Sequence, residues 1–119
     1  MATVTHNTPV PLKAFGDRGV HTVTWEAMGN ADTGSALEMP GASDRSIQMA
    51  GTWGSATIVL QGSNDGVNWS TLTDPQGNAI SKTADSIEMI TELTRYIRPV
   101  SSGGTGTDVD VTVLIKRVV

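Results

Sequence analysis

Along "HTVTWEAM", residues 21 to 28, Val23, Trp25 and Ala27 alternate with Thr22, Thr24 and Glu26. A period of two marks a strand with one face buried. "GNADTG" ends it, and "SALEM" is a second, short strand stopped by Pro40-Gly41. In "RSIQMAGTW", Ile47 and Met49 share a face until Gly51 breaks the pattern before Trp53. "SATIVLQG" is apolar on both phases for part of its length, the pattern of a central strand covered on two sides. "YIRPV" follows later, with Pro99 expected at an edge or a strand end. The C-terminal "DVDVTVLIKRVV" sets Val109, Val111, Val113 and Ile115 on one face. Asp108, Asp110, Thr112 and Lys116 lie on the other, interrupted by Leu114.

Two stretches need separate treatment. "DSIEMITEL" places Ile87, Ile90 and Leu93 at helical spacing, with Asp85 and Glu88 arranged as a capping box. It also carries Ile87, Met89, Thr91 and Leu93 at period two, and among so many short strands the strand reading is preferred. Residues 1 to 20 contain Pro9 and Pro11 and show no period. They predict an extended N-terminal arm, with residues 21 to 119 forming one domain. Strands separated by frequent turn signals then predict an all-β fold, an antiparallel β-sandwich of jelly-roll type.

"GSNDGVNWSTLTDPQGN", residues 62 to 78, concentrates the turn chemistry. Asn64 and Asp65 can bond back to nearby backbone, and Gly66 can take the positive φ that closes a short hairpin. Trp69 stands two residues beyond Val67, so the pattern places both on one face and Trp69 in the core. In Asp74-Pro75-Gln76-Gly77, Pro75 presets the turn and Gly77 completes it. Each special residue has a conformational role, so the stretch reads as scaffold rather than as a binding loop.

Composition narrows the function classes. Thirteen glycines with abundant Thr, Ser and Val favour strands and turns over helices. The chain has no cysteine, so thiolate metal sites, disulfides and cysteine nucleophiles are excluded. A net charge of −4 argues against nucleic acid and anionic membrane as partners. No apolar run approaches the roughly 20 residues of a membrane span. The first residues lack the basic start and apolar core of a signal peptide, so the mature chain is expected to begin inside the cell that makes it.

Candidate chemistry is sparse. His6 and His21 stand apart in sequence and no Gly-x-Ser-x-Gly elbow accompanies them, so no catalytic residue is assigned and an enzyme is not expected. No clustered metal pattern and no dinucleotide loop opening a helix occurs, so neither a metal nor a cofactor is assigned. Trp25 falls on the apolar phase of its strand and reads as core. Trp53, bracketed by Gly51 and Gly54, is a candidate interface anchor. Arg95 and Arg98 are candidates for pairing with acidic groups, on a partner or within the chain. Val10, Leu12 and Phe15 give the arm a sparse apolar set, expected to order against a neighbouring copy or another protein.

Two resemblances add to this. "LQGSNDGVNW" resembles the strand–turn–strand of discoidin-type carbohydrate- and lipid-binding sandwiches, in which this hairpin is scaffold and other loops hold the ligand. The chain lacks that family's bounding cysteines, and no ligand residue carries over. A wider stretch resembles small virion proteins of tailed bacteriophages. It is carried by Gly51 to Gly54, Gly62 to Gly66, Asp74 to Gly77 and the Arg95-Tyr96-Ile97-Arg98-Pro99 strand. That resemblance implies a capsid decoration, or cement, protein on the capsid surface of the virion. Its partners would be the major capsid protein and further copies of itself, as a homodimer or homotrimer. The rival expectation is a carbohydrate-binding or tail-fibre module. An exposed aromatic shelf beside polar loops would mark the rival, and an apolar patch continued by an ordered arm would mark cement.

Overall fold

The computed structural model describes residues 2–12 and 19–117, all strand, turn and loop, with no helix among them. One sheet holds β2 (Val10–Pro11), β3 (Val20–Met28), β6 (Asp44–Thr52), β10 (Ser86–Met89) and β12 (Asp108–Lys116). Its order is β10-β6-β12-β3-β2, antiparallel throughout. The second sheet holds β1 (Thr3–Val4), β4 (Thr33–Gly34), β5 (Leu37–Glu38), β7 (Thr57–Ser63), β8 (Ser70–Thr71), β9 (Ser81–Lys82) and β11 (Tyr96–Ser102). It runs β1-β4-β11-β7-β8, with β5 also on β11 and β9 also on β7. Among the described residues only the β1–β4 pair is parallel. The protein is a two-sheet β-sandwich.

The strict alternation in β12 explains how the sheets stack. Val109, Val111, Val113 and Ile115 are fully buried, and their neighbours Val23, Trp25, Ile47 and Met49 point the same way from β3 and β6. Opposite them stand Leu37, Ile58, Leu60 and Ile97, closed at the margins by Leu72, Ile80 and Ile90. Each fully buried Val, Leu or Ile contributes about 1.5–3 kcal/mol of transfer free energy. β3 carries a bulge: the register shifts between Val109 and Val111, Ala27 takes φ 55°, and its N–H bonds to the Asp110 carboxylate at 2.9 Å. The extra residue lets Met28 return to the core after Trp25.

Three elements differ from the sequence expectation. "VNWSTL" forms only the two-residue β8, so its period-two reading does not place Trp69 in the core. Trp69 is half-buried and Val67 is 77% exposed. β7 is paired on both edges, but only one of its faces is buried; Thr57, Val59 and Gln61 stay half-exposed. Pro99 lies inside β11, buried, rather than at an edge. Leu60, its partner across the ladder, turns both backbone groups away, to Ile80 and Leu72. The Pro99 nitrogen therefore faces the other side, in the gap between β5 on Tyr96 and Ile97 and β4 on Val100. A missing N–H costs no ladder bond there. Gly34 admits the ring: a Cβ on it would stand 2.5 Å from Pro99 Cδ.

Residues 2–12 fall in the segment expected to be an arm. They are extended and pair with this chain's own sheets, through β1 on β4 and β2 on β3. Between the two, Asn7 exchanges bonds with Thr24 backbone, and the His6 ring meets Trp25 edge-on at 5.5 Å. The segment 85–93 is strand at Ser86–Met89, not helix. Asp85 caps no helix; its carboxylate accepts from the Trp53 indole at 2.8 Å and from Gly51 N–H.

Candidate interaction surface

The outward face of the five-stranded sheet is where the β12 pattern is interrupted. Direct cross-strand partners share a face, so the register defines rows across it. One row reads Met89, Ser46, Leu114, Thr22, Val10. The next reads Ile87, Gln48, Thr112, Thr24, where the two threonine hydroxyls stand 3.2 Å apart. On the other side lies Asp44, Lys116, Val20, with Leu12 bonded to the Val20 carbonyl. Ile87 is 65% exposed, Met89 57%, Val10 46%, Leu114 42% and Leu12 38%. An apolar stripe thus crosses the sheet from edge to edge, and two of its members come from the N-terminal segment. A shallow hollow of about 190 Å³ between Met89, Leu114 and Lys116 breaks its relief.

Sequence reasoning found Val10 and Leu12 as interface candidates but missed Ile87, Met89 and Leu114. The signal was present: Leu114 is an apolar residue on the polar phase of β12, and Ile87 and Met89 share one phase of β10. Phe15 lies outside the described residues. Trp53 is half-buried against the core with its indole N–H on Asp85, not a free anchor. That bond, and then Gly51 N–H, holds the Asp85 carboxyl below its ordinary range.

Arg95 and Arg98 sit on the seven-stranded sheet and are engaged within the chain. The Arg95 guanidinium donates to Glu38 at 2.6 Å and lies over the Tyr96 ring. The Arg98 guanidinium lies 4.0 Å above Trp69 and donates to Gln61 at 3.0 Å. Trp69 also meets Tyr96 at 6.4 Å between centroids. One indole face is therefore covered by a cation, an arrangement stabilised by the ring quadrupole.

The hairpin beside them is closed on itself. The Asp65 carboxylate accepts from the Asn68 and Val67 N–H groups, from the Asn68 amide and from Ser63 Oγ. These bonds, in that order, hold its carboxyl far below the usual range. Asn64 Oδ1 accepts from Arg95 N–H, and Gly66 takes φ 78°. After Pro75, Gly77 N–H donates to the Asp74 carbonyl at 2.9 Å, with φ 85° at Gly77. Asp74 is buried, and the Asn78 N–H above all holds its carboxyl low. A cleft of about 490 Å³ runs beside this hairpin, lined by Ser63, Asp65, Asn68, Leu72, Glu92 and Thr94. Its two carboxylates are already committed, Asp65 as above and Glu92 to the Thr73 N–H and hydroxyl. Burial pushes the Glu92 carboxyl up, and the Thr73 bonds outweigh it.

Titratable groups elsewhere do not converge. Among the described residues no three His, Asp or Glu side chains form a metal-binding group. His6 Nδ1 contacts the Asn7 carbonyl, and His21 Nδ1 is buried with no hydrogen-bond partner among the described residues. Arg45 is 4% exposed and among the described residues donates only to the Ala42 and Met39 carbonyls, and burial pulls its pKa down.

No protein-family model and no curated protein matches the sequence. The fold does have relatives among solved structures. The SPBc2 prophage-derived protein YomS aligns at a TM-score of 0.64, with 11% identity, over 81% of this chain and 93% of that one. The CBM32 of AlyQ, in complex with 4,5-unsaturated mannuronic acid, aligns at 0.42 with 14% identity, over 92% and 98% of the two chains. CBM32-3 from a family 31 glycoside hydrolase of Clostridium perfringens aligns at 0.37 with 13% identity, over 95% and 74%. At these identities the likeness to YomS is one of fold, and the two weaker ones carry no further argument.

Proposed function

We propose that this protein is a non-enzymatic structural component of a tailed-phage virion, a decoration protein on the capsid surface that clamps neighbouring shell subunits. The observation that carries the reading is the apolar stripe of Ile87, Met89 and Leu114, continued by Val10 and Leu12 of the N-terminal segment. Exposed apolar residues scattered singly need no explanation, but five ranged across one sheet face, with Ser46, Gln48, Thr22 and Thr24 between them, support reading that face as a protein contact. Burying such a surface on the major capsid protein and on further copies resists expansion of the shell under internal pressure. Repetition over a lattice raises the avidity without any new contact. The fold likeness to a prophage-derived protein is compatible with this origin.

A carbohydrate module is less well supported. Stacking a sugar needs a free aromatic face, and the half-buried Trp69 has the Arg98 guanidinium 4.0 Å over its ring. The polar cleft beside it has its carboxylates occupied by the protein's own donors.

The test is co-sedimentation of the purified protein with heads of the parent phage stripped of decoration. Wild type should bind to saturation at a fixed number of copies per shell, and Met89→Glu should bind at least tenfold more weakly. Cryo-EM of the same particles should show the sandwich on the shell exterior. Absence of saturable binding to heads overturns the assignment.

A further inference from the structure

We propose that the hollow between His21, Arg117 and the Met39–Ala42 turn is a binding site for a carboxylate carried on a short apolar stem. Among the described residues, two buried side-chain polar atoms lack a hydrogen-bond partner, His21 Nδ1 and Arg45 Nη1. Both belong to one cross-strand row, Arg45–Ile115–His21, at the end of the sheet where β3 and β6 begin and β12 finishes. Ile115 is fully buried in the core, so the row faces into the sandwich. A hollow of about 340 Å³ opens here, walled by His21, Met39, Gly41, Ala42 and Arg117. The buried Arg45 guanidinium grips the same turn, Nε donating to the Ala42 carbonyl at 2.7 Å and Nη2 to the Met39 carbonyl at 2.9 Å. A buried polar group left without a partner is costly, and two in one row beside one hollow call for an occupant.

Charge names the ligand. Two guanidinium groups and an imidazole gather at this end, and among the described residues no carboxylate lines the hollow. That runs against the composition, 12 Asp and Glu to 8 Lys and Arg. The neighbouring carboxylates are turned elsewhere. Asp44 stands in the adjacent row with Lys116, on the outward face, and Glu38 accepts from Arg95 at 2.6 Å. Water can satisfy a lone nitrogen, but it does not neutralise a buried guanidinium whose partners are carbonyls. An oxyanion does, accepting from the His21 ring and the exposed Arg117 guanidinium while Arg45 supplies charge from behind the turn. Met39, Gly41 and Ala42 offer no charged or hydrogen-bonding side chain, so the rest of the ligand is apolar, an organic carboxylate rather than inorganic phosphate. The volume lies near the lower end of the roughly 300–1,000 Å³ of ligand pockets, room for a short stem. Met39, unbranched and only partly buried, is the wall able to yield to it. A free short-chain acid and the side chain of a glutamate on a neighbouring protein share this chemistry. The site is independent of the apolar stripe, which lies on the opposite face of the same sheet.

NMR titration of the isotope-labelled full chain is the test. The probes are sodium butyrate, its neutral counterpart butyramide, sodium phosphate, and a capped peptide whose one carboxylate is a glutamate side chain, all at constant ionic strength. Butyrate should give saturable shifts at the His21, Gly41 and Ala42 amides with a Kd of about 1–10 mM, the scale of so small a ligand. Butyramide should give none, and phosphate should bind about tenfold more weakly. Arg117→Ala, at an exposed position that leaves the fold intact, should weaken butyrate about tenfold, the loss of one charge-assisted hydrogen bond. Arg45→Met, which keeps the buried volume and removes the charge behind the turn, should weaken it about fivefold. Arg98→Ala, at a cation on the other sheet, should leave it unchanged. Tighter binding of the peptide makes a protein-borne glutamate the source, and tighter binding of butyrate makes it a free acid. Absence of saturable shifts with butyrate and peptide alike overturns the site. So do shifts that butyramide reproduces, phosphate binding as tight as butyrate, or butyrate binding indifferent to Arg117→Ala.

Discussion

Gly34→Ala tests how the N-terminal half of the chain is locked to β11. A methyl group at Gly34 would stand 2.5 Å from Pro99 Cδ, 2.7 Å from Pro99 Cγ and 2.9 Å from Trp25 Cδ1. Ordinary carbon–carbon contact is about 3.5–4.0 Å, so β4 and the ring must part by about 1 Å. Neither neighbour can yield cheaply. Trp25 is fully buried, with its indole N–H on the Ser35 carbonyl at 2.9 Å, and the Pro99 ring is closed onto its own backbone. Overpacking costs about 1–3 kcal/mol, and a clash on two sides puts this case at about 2–3 kcal/mol. For a domain of this size each kcal/mol lowers Tm by roughly 3–6 °C. Pro99→Ala deletes the clashing carbons but leaves a new N–H facing the gap between β4 and β5, and costs about 1–2 kcal/mol alone. The double variant should therefore lose about 1–2 kcal/mol less than the sum of the singles. Urea unfolding of the four proteins measures this directly. A Gly34→Ala loss below about 0.5 kcal/mol, or strict additivity with Pro99→Ala, refutes the packing described.

Trp25→Ala should cost about 3–5 kcal/mol as a core truncation, whereas Trp69→Ala should cost about 1–2 kcal/mol, the scale of its contacts with Arg98 and Tyr96. Equal losses in urea unfolding would contradict the burial assigned to them. Arg45→Met should stay within about 1.5 kcal/mol of wild type, because a buried guanidinium with only carbonyl partners among the described residues is replaced by apolar volume. Arg45→Ala should lose about 2–4 kcal/mol through the cavity it leaves, and a larger loss for Met than for Ala would refute this account. Asp65, Asp74, Asp85 and Glu92 all have carboxyls held low by folding. Such groups add stability that is complete above their unfolded values near about 4 and is lost as the pH falls through the folded ones. Melts by circular dichroism should thus show Tm falling steeply below about pH 4, less steeply in Asp65→Asn; a Tm unchanged down to pH 3 would count against it.

The long strands were legible because a sheet with one buried face writes a period of two into its sequence. "HTVTWEAM", "RSIQMAGTW" and "DVDVTVLIKRVV" became β3, β6 and β12, and the sandwich follows from their apolar faces. The turns at 63–66 and 74–77 were legible because Asn, Asp, Pro and Gly act on their own backbone, within a few residues. Position in the tertiary structure was not. Pro99 sits inside a strand because two short partners, β4 and β5, happen to leave a gap beside it, which no local pattern encodes. Trp69 followed the alternation and yet lies on the outside, because a two-residue strand does not propagate a period. The candidate surface was visible only in fragments: Val10 and Leu12 in one segment, Met89 in another, Leu114 in a third. Cross-strand register brings the fragments into one stripe, and register is a property of the folded sheet, set by how all of its faces are buried together.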